Sequence, residues 1–137
     1  MLEKRNFYIN GKWVSPSKPN DFEVINPSNE EPFAIISLGD ATDTNSAVEA
    51  AKKAFVKWKE TSKEERINLL EKLLKIYKKR FNELAEAQSM EMGAPIDYAI
   101  SAQTASGQSH LEDFILRLKN FKFEEHFDSK SNNHISY

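Results

Sequence analysis

The sequence predicts a mainly helical fold, three helices with peripheral β-hairpins, and three observations point to it. Asn10-Gly11 separates two short β-prone runs, the hydrophobic period lengthens from Asp43 onward, and Ser62 stands in capping-box register with Glu65. An Asn-Gly pair accepts the positive φ that both central positions of a type I′ turn require. Apolar residues recurring every three to four positions make one face of a helix. A serine followed at this spacing by a glutamate satisfies two free amides at a helix start.

The first hairpin joins Phe7-Tyr8-Ile9 to Lys12-Trp13-Val14. A second pair of extended runs, Phe22 to Ile25 and Phe33 to Leu38, flanks a polar break that holds Asn26-Pro27 and ends at Pro32. A proline there lacks an amide donor and should stop the ladder, so strands are expected across residues 7–38. A first helix over 43–59 is expected from Ala47, Val48, Ala51, Ala54, Phe55 and Trp58, with lysines and Glu49 between them. The second, over 62–92, carries the stripe Ile67, Leu70, Leu74, Tyr77, Phe81, Leu84 and ends where Gly93 can take a left-handed conformation.

Pro95 suits the first turn of a third helix over 95–120, whose face runs Ile96, Ile100, Gln103, Gly107, Leu111, Phe114, Leu118 and on to Phe121. The middle of that helix is small or polar. Ala102, Ser106 and Gly107 leave room where leucine would normally stand, which means either close backbone approach or a ligand cavity. Phe121, Phe123 and Phe127 then suggest a strand, Asp128 to Asn133 a polar loop, and His134 to Tyr137 another strand. The chain shows no internal repeat and no low-complexity tract.

Composition bounds the function. At 137 residues the chain has the length of one domain, and 39% hydrophobic against 29% charged residues is a globular balance. A net charge of -2 recruits neither nucleic acid nor an anionic membrane. No apolar run approaches the roughly 20 residues needed to cross a bilayer, and the charged start lacks a signal-peptide core, so a cytoplasmic location is expected. With no cysteine, the sequence offers no disulfide, thiolate metal ligand or thiol nucleophile.

Several constellations invite chemistry and decline it. The glycines at 11, 39, 93 and 107 are scattered, so neither a dinucleotide fingerprint nor a P-loop can be written. His110, His126 and His134 lack the helical spacing of a metal site, although the last two could face each other across a hairpin. Ser109, His110 and Asp113 fail as a triad because adjacent helical side chains diverge by about 100°. The basic run Lys75, Lys78, Lys79, Arg80 is interleaved with Glu71, Glu83 and Glu86 and reads as a solvated face. Glu91 and Asp97, on either side of Gly93, have the chemistry of a general acid and base, but nothing in the sequence makes them converge on a pocket, and a helix end and a helix start account for them.

An ordered series of strings resembles the aldehyde dehydrogenase superfamily. These are YINGKWV from Tyr8, FEVINPSNEE from Phe22, AVEAAKKAFVKW from Ala47, EER at Glu64 to Arg66 with LLEKL after it, and ELA followed by the EMGAPI region up to Ile96. They match the family's N-terminal quarter in order and spacing, and the MGAPI and HLEDF region resembles a bacterial branch. The resemblance implies an aldehyde dehydrogenase-like α/β fold, with residues 1–121 as the N-terminal part of a cofactor-binding domain and 122–137 as the start of an oligomerisation β-ribbon. It also implies oxidation of an aldehyde to a carboxylic acid with NAD(P)+ through a cysteine thiohemiacetal, a glutamate assisting hydrolysis. The family's oxyanion asparagine lies in a Pro-Trp-Asn region that normally comes after the position of Tyr137, and its glutamate and cysteine come later. None of them can be carried onto this chain.

Three features can be carried by position. A structural cation in the family matches the backbone oxygens of Val24 and Ile25 together with Glu91. The family's substrate tunnel matches Ala102 and Ser106. The segment Phe123 to Tyr137 matches the ribbon through which subunits pair. On this reading the chain is an N-terminal fragment, non-catalytic alone and binding no cofactor by itself, whose partners are the remainder of the enzyme, which would use NAD or NADP, and further copies in a homo-oligomer. The alternative is a non-catalytic interaction module that binds a dehydrogenase subunit by strand addition.

Overall fold

The computed structural model describes residues 1–124. Three short strands open the chain, β1 (Leu2–Lys4), β2 (Phe7–Ile9) and β3 (Lys12–Val14), and β2 and β3 form the Asn-Gly hairpin with Tyr8 opposite Trp13. Asn10 at φ 53° and Gly11 at φ 77° both take the left-handed conformation that the type I′ turn needs. Tyr8 and Trp13 pack edge to face, ring centres 5.3 Å apart.

Strands β4 (Asp21–Asn26) and β5 (Glu31–Ser37) pair antiparallel, and β1 adds to β5 in parallel, giving the order β1-β5-β4. The expectation that Pro32 lies outside the ladder is corrected here. It sits within β5 opposite Ile25, next to an irregularity between Val24 and Ile25, and such an irregularity accommodates a residue that cannot donate. The turn between β4 and β5 is held by the Asn26 side chain, which accepts from the Ser28 amide at 2.9 Å, and by the Asn26 carbonyl, which accepts from the Glu30 amide at 2.8 Å.

Helix α1 (Ala41–Trp58) starts two residues earlier than the hydrophobic period suggests because Asp40 caps it. The Asp40 carboxylate accepts from the amides of Thr42 at 2.7 Å and Asp43 at 3.2 Å, and the Asp43 carboxylate accepts in turn from the Asp40 amide at 3.1 Å. The region expected as one helix over 62–92 is two, α2 (Lys63–Lys79) and α3 (Phe81–Met92). Between them Arg80 turns to φ -102°, ψ 16°, and its amide is shared between the carbonyls of Ile76 and Tyr77. The break aims the two halves at different partners: α2 packs on the last helix, while α3 packs on β4 and on the turn that precedes that helix.

The third helical region is likewise segmented. A single turn, α4 (Ile96–Tyr98), runs into a π-helical stretch at Ala99–Thr104 and then into α5 (Ala105–Asn120). Pro95 stands just outside the first turn as its cap. Phe121 is extended and Phe123 packs against it edge to face at 4.9 Å, but residues 121–124 join no ladder. Phe127, His126, His134 and most of the expected ribbon lie outside the described residues.

The buried apolar interior is small. Among the described residues, Ala34, Ala85, Ala99 and Ile115 are the buried hydrophobic ones, joined by Ser37 and Thr104. Neither α1 nor α2 buries a residue completely. The stripe of α2 and α3 is half-buried, whereas Val48, Phe55, Val56 and Trp58 of α1 are exposed.

Candidate functional site

The π-helical stretch is held by hydrogen bonds from two other helices. Thr104, at its end, is fully buried. Its hydroxyl donates to Gln88 Oε1 on α3 at 2.7 Å, and its carbonyl accepts from the Tyr77 hydroxyl on α2 at 2.9 Å. A buried hydroxyl and a buried carbonyl cost little when paired and a good deal when not, so these bonds fix where the stretch lies. Ala99, its first residue, and Ala85 on α3 are both fully buried, small enough for the two backbones to approach.

The small-residue gap read from the sequence divides into two kinds of position. Gly107 is a site of close approach: a Cβ added there would overlap the Tyr77 hydroxyl and lie 3.1 Å from Tyr77 Cζ. Ala102, inside the π stretch, is half-buried, and Ser106, in the first turn of α5, is exposed. Gln103, between Ala102 and Thr104, directs its amide at Met92 Sδ, 3.9 Å away, and its buried Oε1 finds no donor among the described residues.

The positions matched to a cation meet only through their supports. Val24 is half-buried and Ile25 exposed at the irregular point of β4, and Glu91 is exposed in the last turn of α3. The end of α3 rests on the turn after β4, since a Cβ on Gly93 would stand 3.0 Å from Pro27 Cβ. No group of three or more His, Cys, Asp or Glu side chains gathers among the described residues, so a cation there would depend on backbone oxygens.

The remaining chemistry-bearing residues are engaged elsewhere. Asp113 pairs with Arg117 at 2.6 Å, with Ser109 and His110 exposed beside it. Within the basic run Lys78 meets Glu112 at 2.6 Å and Arg80 meets Glu83 at 2.9 Å. Lys78 also holds the Glu112 carboxyl below its ordinary range. Each glycine has a structural use: Gly11 in the hairpin, Gly39 against Phe7, Gly93 as the left-handed cap of α3, and Gly107 against Tyr77. Among the described residues, no two of these glycines stand together in a glycine-rich phosphate cradle.

Sequence reasoning missed one further feature, a groove of about 600 Å³ between α2 and α5. Trp58, Leu69, Leu73, Phe114, Leu118 and Phe121 line it. The signal was present in Leu69 and Leu73, which fall beside the main stripe and broaden the apolar face of α2. Among the described residues, no helix is long and apolar enough to cross a membrane.

Known proteins share this arrangement. The model of the aldehyde dehydrogenase family matches residues 13–137. The 3-succinoylsemialdehyde-pyridine dehydrogenase of a Pseudomonas species is 39% identical over 126 residues, which is 91% of this chain and 26% of that protein. A crystal structure of aldehyde dehydrogenase from Bartonella henselae superposes with a TM-score of 0.93 at 53% identity, covering 96% of this chain and 28% of that one. Aldehyde dehydrogenase C of Pseudomonas syringae, solved as a mutant with NAD+ and octanal, gives a TM-score of 0.88 at 35% identity over 90% of this chain and 25% of its own. The chain thus spans about a quarter of the length of the relatives it matches, and it belongs to the aldehyde dehydrogenase family.

Proposed function

We propose that these 137 residues are the N-terminal part of an NAD(P)-dependent aldehyde dehydrogenase, that they are non-catalytic by themselves, and that they serve the complete enzyme as scaffold and as one wall of the aldehyde tunnel. The observation that carries this reading is the pairing of a fixed helical frame with apolar faces that are exposed among the described residues. Val48, Phe55, Val56 and Trp58 on α1, and Leu69, Leu73 and Phe114 in the groove, are all exposed. A surface of that kind marks an interface. Its occupant on this reading is the rest of the enzyme.

Within the complete enzyme, NAD(P)+ would supply the hydride acceptor. The attacking cysteine and the cofactor cradle come from residues other than these, because this sequence holds no cysteine and no glycine-rich cradle, and the general-base glutamate comes after these residues in the family's order. The contribution of this chain is positional. Ala102 and Ser106 face the aldehyde with side chains small enough to admit it, and Val24, Ile25 and Glu91 hold a structural cation that braces β4 against α3. Ribbon pairing from Phe123 to Tyr137 joins copies into an oligomer.

The test compares the purified chain with the complete enzyme, using an aliphatic aldehyde and either NAD+ or NADP+ and following reduced nicotinamide. The expected result is turnover by the complete enzyme and none by the chain above a protein-free blank. Turnover by the pure chain would overturn the reading.

A further inference from the structure

We propose that Tyr77, Thr104 and Gln88 are positioning residues for the aldehyde: their hydrogen bonds hold the π-helical stretch Ala99–Thr104 and thereby set the rotation of Ala102 relative to Ser106. This rests on the reading that Ala102 and Ser106 face the substrate. A π turn inside an α-helix is uncommon. The residues Ala99-Ile100-Ser101-Ala102-Gln103-Thr104 include neither proline nor glycine, so nothing local explains the departure. Its supports are tertiary, and they converge on one residue: Thr104 is pinned by its hydroxyl to Gln88 on α3 and by its carbonyl to Tyr77 on α2.

Helical geometry gives that pinning a consequence. Successive residues of an α-helix are turned by about 100°, so the wider π turn shifts the phase of α5 against α4 by roughly that amount. Return to α-helical geometry would swing Ala102 away from its present azimuth relative to Ser106 on α5. Gly107 belongs to the same device, since only a residue without a Cβ lets the Tyr77 hydroxyl come close enough to reach the Thr104 carbonyl. Gln103 Oε1, buried in the same turn, has no donor among the described residues.

The test is steady-state kinetics of the complete enzyme on straight-chain aldehydes of increasing length. Wild type, Tyr77→Phe, Thr104→Val and Thr104→Ser are compared, with melting temperatures measured in parallel. Tyr77→Phe and Thr104→Val should raise KM for the preferred aldehyde about three- to tenfold, as expected for one lost buried hydrogen bond, and reorder the preference among chain lengths. The KM for NAD(P)+ and kcat should hold, and Thr104→Ser, which keeps the hydroxyl, should restore the wild-type KM. An unchanged aldehyde KM in both variants overturns the proposal. So does a joint loss in kcat, both KM values and melting temperature, which would show a merely structural role. A wild-type enzyme that oxidises no aldehyde removes the underlying reading as well, whereas an active wild type with unshifted variants removes this proposal alone.

Discussion

The Tyr77 hydroxyl on α2 donates to the carbonyl of Thr104 at 2.9 Å, directly over Gly107. The contact ties α2 to the π stretch where the chain changes its winding before α5, and it decides the sign of a substitution that helix propensity alone would get wrong. Gly107→Ala should gain close to 1 kcal/mol from propensity. The new methyl would overlap the tyrosine hydroxyl, and overpacking of this kind costs about 1–3 kcal/mol. Net destabilisation is expected, seen as a lower melting temperature of the complete enzyme, with partial recovery in Gly107→Ala combined with Tyr77→Phe. A raised melting temperature for Gly107→Ala would contradict the packing.

Ser62 starts α2 by accepting from the Glu65 amide at 3.1 Å, while Glu65 accepts from the Ser62 amide at 2.7 Å. Ser62→Ala should cost about 1 kcal/mol in denaturant unfolding, with Ser62→Thr retaining most of it. Equal stability of all three proteins would show that the cap is idle.

The caps also set a pH dependence. The amide of Asp43 foremost, with that of Thr42, holds the Asp40 carboxyl below its ordinary value, and the Ser62 amide does the same for Glu65. A carboxyl whose folded pKa is lowered contributes stability above its ordinary value and loses it as pH falls through the lowered one. Helical circular dichroism should therefore hold from neutral pH down to about 4 and decline below it. The decline should be shallower in Asp40→Asn with Glu65→Gln. Helicity that rises on acidification through that window would refute the assignment.

The exposed faces of α1 and of the groove predict the behaviour of the chain in isolation. It should bind ANS with enhanced fluorescence and sediment as concentration-dependent species. A monodisperse monomer with a sharp cooperative melt would mean that these faces find enough cover within the chain itself.

Local chemistry made parts of this architecture readable. Asn10-Gly11, the Ser62 and Glu65 box and the left-handed Gly93 each act within a few residues, and each stands where its side chain, or lack of one, demands. Longer-range features were silent. Strand β1 has no pattern of its own and exists by pairing Leu2, Glu3 and Lys4 with residues Ala34 to Ile36. The break at Arg80 carries no proline or glycine and arises from what α2 and α3 each pack upon. For the candidate site, the small residues at 102, 106 and 107 were visible, but not that Gly107 serves Tyr77 while Ala102 sits in a π turn. That distinction depends on a hydroxyl arriving from a helix 27 residues away. The capping role of Asp40 was hidden because its box closes with an aspartate at the third helical position instead of the longer glutamate.

The polar fastenings of α1 bear on how an interface can be prepared in advance. At one end the Ser17 amide donates to Asp43 at 2.8 Å; at the other Arg66 donates to the Lys59 carbonyl at 3.1 Å and to Thr61 Oγ1 at 2.9 Å, its guanidinium 5.8 Å from the centre of the Trp58 ring. Hydrogen bonds are directional where apolar contact is not, so these ties set the azimuth of a helix whose greasy side still faces water. An arriving surface meets Phe55 and Trp58 already aimed, and the entropy of orienting them has been given up beforehand, within the chain.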